Sequence, residues 1–171
     1  MAWPRGRAGR FARVTDAAAD ADPTAPHAAR FAPIEDAALL ARWAKFPQGW
    51  ERTYFPNLVG LELEEVRTDY ARLRLPFRPE LEQPAGVVHG GAIATLIDTV
   101  VVPAVGQAYD AGTAFFTVQM DVRYLGSVVQ QDAIAEGWIE KRGRSIVFCR
   151  AEVRVPDGKL VADGTLTYTV R

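Results

Sequence analysis

Cysteine is all but missing from this 171-residue chain: Cys149 stands alone, so no internal disulfide can form. Histidine is nearly as scarce. His27 and His89 are too few for the Cys- and His-rich cages that hold structural zinc, and no metal site is expected. Excess charge of one sign is absent too. Twenty Lys and Arg against 21 Asp and Glu leave a net charge of −1, which argues against a basic nucleic-acid binder held by phosphate contacts. No run reaches the roughly 18 consecutive apolar residues of a membrane-spanning helix. The longest apolar region, Leu96–Val105, is interrupted by Asp98, Thr99 and Pro103. Arg5, Arg7, Arg10 and Arg13 make the N-terminus basic, but no apolar stretch follows, so it does not read as a secretory signal. The expectation is a cytoplasmic protein with no membrane and no nucleic-acid partner.

What remains is ordinary globular material: 49% hydrophobic and 10% aromatic residues, enough for one domain with its own core. Residues 1–30 are Ala, Arg, Asp and Pro with no apolar period, and read as a disordered extension that cannot bury enough surface to offset its ordering entropy. They are also too few and too irregular to build a helix-turn-helix. The domain is expected over 31–171. Leu39, Leu40, Trp43 and Phe46 recur at helical spacing in Glu35–Phe46, and Pro47 and Gly49 end that helix. Leu58–Glu64 and Tyr70–Phe77 alternate like strands, with Arg67-Thr68-Asp69 as the turn between them.

Ala92 to about Ala108 is apolar on all sides, the pattern of a buried helix, with Pro103 bending or ending its last turn. Four strands are expected after it, over 114–125, 132–140, 145–155 and 160–170. Lys141-Arg142-Gly143-Arg144 and Pro156-Asp157-Gly158-Lys159 form turns. Two strands, a buried helix and four strands joined by tight turns make an α+β fold, an antiparallel sheet around one helix. Cys149, among Val147, Ala151 and Val153, falls on the buried face as a packed thiol.

Chemistry is expected at two points on the buried helix. His89-Gly90-Gly91 opens it, leaving uncrowded N–H groups at its positive end where a developing oxyanion could sit. Asp98 lies among apolar residues and threonines, where a carboxylate is costly unless paired. Eight helical residues from Gly90 to Asp98 span about 12 Å, and His89 and Asp98 point to opposite sides. One chain cannot bring Gly90 and Asp98 to the same carbonyl. If both act, they come from two chains, so the expected unit is a homodimer at minimum, with a homotetramer as the fuller assembly.

Gln83-Pro84-Ala85-Gly86-Val87-Val88-His89-Gly90-Gly91, followed by Asp98, resembles the signature of hotdog-fold acyl-CoA thioesterases, most closely the phenylacetic-acid-degradation type. Thr117–Leu125 and Asp157–Ala162 resemble the same family. The resemblance implies hydrolysis of an aryl- or medium-chain acyl-CoA to free acid and CoA, with no cofactor, since CoA is part of the substrate. It implies Asp98 as nucleophile or base for water, and the Gly90 N–H of the other subunit polarising the carbonyl. Gln83, where relatives often carry Asn, would orient water or the acyl group. Thr117 would hold the water or Asp98, and His89 would shape the helix entry. Gly91 joins the substrate-binding residues, and Lys141, Arg142 and Arg144 could meet the CoA phosphates. Trp43, Trp50, Phe55, Phe115 and Phe116 could line an acyl pocket. Two other readings stand beside it. One is a hotdog dehydratase or hydratase for 3-hydroxyacyl thioesters, which would need a His–carboxylate pair. The other is a non-catalytic module that binds acyl-CoA.

Overall fold

The computed structural model describes residues 22–171. Six antiparallel strands form one sheet in the order β1-β2-β6-β7-β8-β5: β1 (Glu62–Arg67), β2 (Tyr70–Leu75), β6 (Ala133–Arg142), β7 (Ile146–Arg154), β8 (Leu160–Val170) and β5 (Phe115–Tyr124). Two-residue strands β3 (Glu82–Gln83) and β4 (Val87–Val88) pair separately, just before the long helix α3 (Gly90–Gln107).

Alternation along the strands sets which face is dry. In β7, Val147, Cys149, Ala151 and Val153 are buried, and the residues between them are not. That face meets α3, whose Leu96, Ile97, Val100, Val101, Ala104 and Val105 are fully buried. By length and composition α3 could cross a membrane, yet more than half of it is covered by its own sheet, as an all-round apolar core helix is. Two glycines permit this approach. A Cβ on Gly137 would lie 2.6 Å from Val100, and one on Gly164 2.8 Å from Ile97. The sheet thus wraps the helix without intervening side chains at those points.

Three expectations change in the structure. The alternation at Leu58–Glu64 does not give one strand. Helix α2 (Phe55–Val59) occupies its start and Gly60, at φ 86°, terminates it, so β1 begins only at Glu62. Lys141 and Arg142 belong to β6, and the turn that follows is Gly143–Ser145. Of the leader, residues 1–21 lie outside the described residues, but 22–30 pack rather than extend. Asp22 pairs with Arg72 at 2.6 Å, and the His27 N–H donates to Glu136 at 3.0 Å. Ala28 is buried with Tyr70 and Trp138 on the outer sheet face, where Phe31 stacks on Tyr70. Composition could not reveal this, because the segment has no apolar period of its own and its partners, charged groups and aromatic rings alike, stand on distant strands. Helix α1 (Ala37–Trp43), capped by Asp36, brings Trp43 against Gly106 of α3, and the following turn region places Phe46 and Trp50 around a cavity shared with Val102 of that helix.

Candidate active site

Helix α3 starts on His89, whose extended backbone and ring make it the N-cap: its Nδ1 accepts from the Gly91 N–H at 2.8 Å. The Ala92 and Ile93 N–H groups return to the His89 carbonyl. Gly91 therefore has its donor engaged, whereas no described residue accepts from the Gly90 N–H, which is left at the helix tip for an outside acceptor. Tyr124, from the end of β5, pins this tip. Its hydroxyl donates to the Gly90 carbonyl at 2.9 Å, and its ring lies 3.3 Å from where a Gly90 Cβ would be. Gly90, Gln83 and Tyr124 border one cavity of about 280 Å³.

Asp98 sits two turns along, half-buried. Thr95 and Thr99, its sequence neighbours, do not hold it: the Thr95 hydroxyl turns back to the Gly91 carbonyl at 2.8 Å and Thr99 is buried. Its partners come from the sheet. The Thr117 hydroxyl donates to Oδ1 at 2.8 Å, while the Tyr168 hydroxyl donates to the Asp98 carbonyl at 2.9 Å and reaches Oδ1 at 3.3 Å. Thr117 on β5 and Tyr168 on β8 are directly paired across the ladder, so one register brings both hydroxyls to one carboxylate. Burial, with the Asp98 charge beside it, pushes the Tyr168 phenol above its ordinary range and keeps it protonated as a donor. Tyr168 carries no sequence signal of its own, since a tyrosine in an alternating strand reads as core.

A second cavity, about 410 Å³, has Trp43, Phe46, Trp50, Val102 and Phe115 among its walls, with the basic Arg42 and Lys45 beside them. Asp98 is not one of its walls but lies near them in the chain: Val102 follows Asp98 by one turn on the same helix face, and Phe115 precedes Thr117 by two residues on the same side of β5. Phe55 and Phe116 lie on the surface instead.

The basic turn is not gathered to the helix tip. Arg142 pairs with Asp69, and the Tyr109 hydroxyl, just beyond α3, donates to the Gly143 carbonyl at 2.6 Å. Lys141, Arg142 and Arg144 thus lie toward the C-terminal end of α3, and Gly90 opens the other, about 27 Å away along an 18-residue helix. No cluster of three or more His, Cys, Asp or Glu side chains fit for a metal occurs among the described residues.

Residues 85–162, the stretch holding both Gly90 and Asp98, match the family described as the thioesterase superfamily. A Halobacterium salinarum protein that carries an esterase name is 30% identical over 114 residues, 64% of this chain and 75% of its own length. The chain belongs to the thioesterase superfamily. Its hotdog fold is shared with solved structures. A conserved Pseudomonas aeruginosa protein superposes with a TM-score of 0.67 at 28% identity, over 70% of this chain and 95% of that one. The E. coli PaaI protein of the phenylacetic acid degradation operon gives 0.62 at 16% identity, over 67% and 81%, a likeness of fold. Membership in the superfamily carries a general activity, hydrolysis.

Proposed function

We propose that the protein hydrolyses acyl-CoA thioesters to a free acid and CoA. The observation that carries this reading is the Asp98 carboxylate, held at Oδ1 by Thr117 while Oδ2 accepts no hydrogen bond from any described residue, near the aromatic walls of a cavity able to take an acyl group. Acting as base, Asp98 takes a proton from water as the hydroxide adds to the carbonyl carbon. Acting as nucleophile, it forms an acyl anhydride that water then opens. On either route the C–S bond breaks, the thiolate of CoA leaves, and it regains a proton.

The carbonyl oxygen needs a donor as it gains charge. The Gly90 N–H suits that task but lies about 12 Å from Asp98 on the same helix. The donor is therefore assigned to the Gly90 of a second copy, in a homodimer that can pair further into a tetramer. Gln83, bordering the same cavity as Gly90, would orient the acyl group or water there. Lys141, Arg142 and Arg144 belong to the proposal as contacts for the CoA phosphates of a substrate lying across two chains. The second cavity is the place proposed for an aryl or medium-chain acyl group: it exceeds the roughly 150 Å³ of an apolar cavity that holds benzene, and Trp43, Phe46, Trp50 and Phe115 give it aromatic walls beside Arg42 and Lys45. The cytoplasm is the location proposed with it. His89 caps its helix through Nδ1 and points to the opposite side of the helix from Asp98, nine residues on, so the His–carboxylate pair of a hydratase cannot form within one chain.

Replacing Asp98 with Asn and following CoA release from phenylacetyl- and octanoyl-CoA tests the reading. A loss of at least about 100-fold in kcat, with the melting temperature preserved, is expected for a lost base or nucleophile. A folded variant that turns over like the wild type would overturn it.

A further inference from the structure

We propose that Tyr168 is a positioning residue for Asp98, and that with Thr117 it fixes Oδ1 so that Oδ2 is the oxygen that reacts. The inference rests on the reading of Asp98 as the reacting carboxylate, and it assigns a role to a strand residue outside the helix that carries the site.

A free aspartate turns about two side-chain bonds and presents either oxygen. Here both freedoms are removed from one direction. Tyr168 is 2% exposed, set in the core on β8 with its ring 6.0 Å from that of Phe115. Its hydroxyl donates at 2.9 Å to the peptide carbonyl of Asp98 itself, tying this turn of α3 to the sheet, and lies 3.3 Å from Oδ1. Thr117 completes the grip on Oδ1 at 2.8 Å. Pro103, inside α3, has no N–H, so the Thr99 carbonyl lacks the donor that the helical ladder would give it. A tie from the sheet one residue away steadies a helix that is weakened just where its carboxylate must be placed. Oδ1, with two hydroxyls around it, is the poorer site for a proton or an acyl group. Oδ2 is left toward the open side.

Tyr168→Phe removes one buried oxygen and keeps the ring. The expected result is a fall of about 10- to 100-fold in kcat with KM within about threefold, because the residue acts on Asp98 and not on the substrate. A purely structural tyrosine would lower the melting temperature and leave the kcat of the folded variant unchanged. Thr117→Ala should lower kcat with KM again held, and Thr117→Ser should recover most of the loss. Asp98→Asn is measured alongside. If it is inactive while Tyr168→Phe keeps the wild-type kcat, the positioning role is overturned and the thioesterase reading stands. If Asp98→Asn is as active as the wild type, both fall.

Discussion

Gly90 can be stripped of its N–H without removing it from the helix it opens. Proline is accepted at a first helical position, where the missing N–H has no ladder partner to lose. His89 before it already has the extended backbone that a following proline requires, at ψ 135°. Gly90→Pro is therefore expected to keep the helix and lower kcat by about 100- to 1,000-fold, the effect of losing one oxyanion donor. Gly90→Ala is the control. It crowds the Tyr124 ring in the same way but retains the N–H, so its loss should be much smaller; circular dichroism and steady-state kinetics on both variants separate the two. Gly90, Asp98 and Thr117 could all be picked out from sequence, the first two by a glycine pair and a lone carboxylate on an apolar helix, the third through resemblance. Tyr168 and Tyr124 could not. Each acts only because β8 or the end of β5 lies beside α3, and that adjacency is a long-range pairing with no local trace.

Strand β6 shows how elements divide between core and outer face. Ala135 and Ile139 face α3, while Glu136 and Trp138 point the other way, under the segment of residues 22–31. Glu136 is 1% exposed. Its Oε1 accepts from the His27 N–H and the Tyr70 hydroxyl, and its Oε2 is buried without a partner among the described residues. Burial raises its pKa above the usual value near 4.5, although the bonds from His27 and Tyr70 pull the other way. The unfolded chain thus releases this proton first as pH rises. Through that interval the folded state binds more protons, so Glu136's contribution to stability declines with rising pH. Glu136→Gln keeps an acceptor for both donors and has no proton to lose. Urea unfolding at a series of pH values should show the wild type falling progressively behind this variant from about pH 4.5 upward; a constant difference would contradict it. The strands themselves were readable from alternation. Short α2 is not, because Val59, Leu61 and Leu63 keep a strand's period of two straight across Gly60, where the chain turns, and a five-residue helix leaves too few periods to compete.

At the scale of the whole molecule, β5 is the exception. It is ten residues long, lies at the edge of the sheet and exposes Phe116 and Val118. Such an edge is an aggregation hazard unless another strand covers it, and a second copy on this strand is consistent with the two-chain site proposed above. The separation of Gly90 and Asp98 along α3 then has a genetic consequence. An Asp98→Asn chain still carries a sound Gly90, and a Gly90→Pro chain a sound Asp98. With the two-chain site proposed above, each pure dimer would be inactive, but a hybrid of the two would have one site with both groups intact and one with neither. With random pairing, half the dimers are hybrids, so coexpression should restore about a quarter of the wild-type turnover, read by CoA release from the mixed preparation. Were each site contained in a single chain, mixing would restore nothing. Two lesions eight residues apart in one helix would therefore complement each other in trans, behaving as mutations in separate genes do.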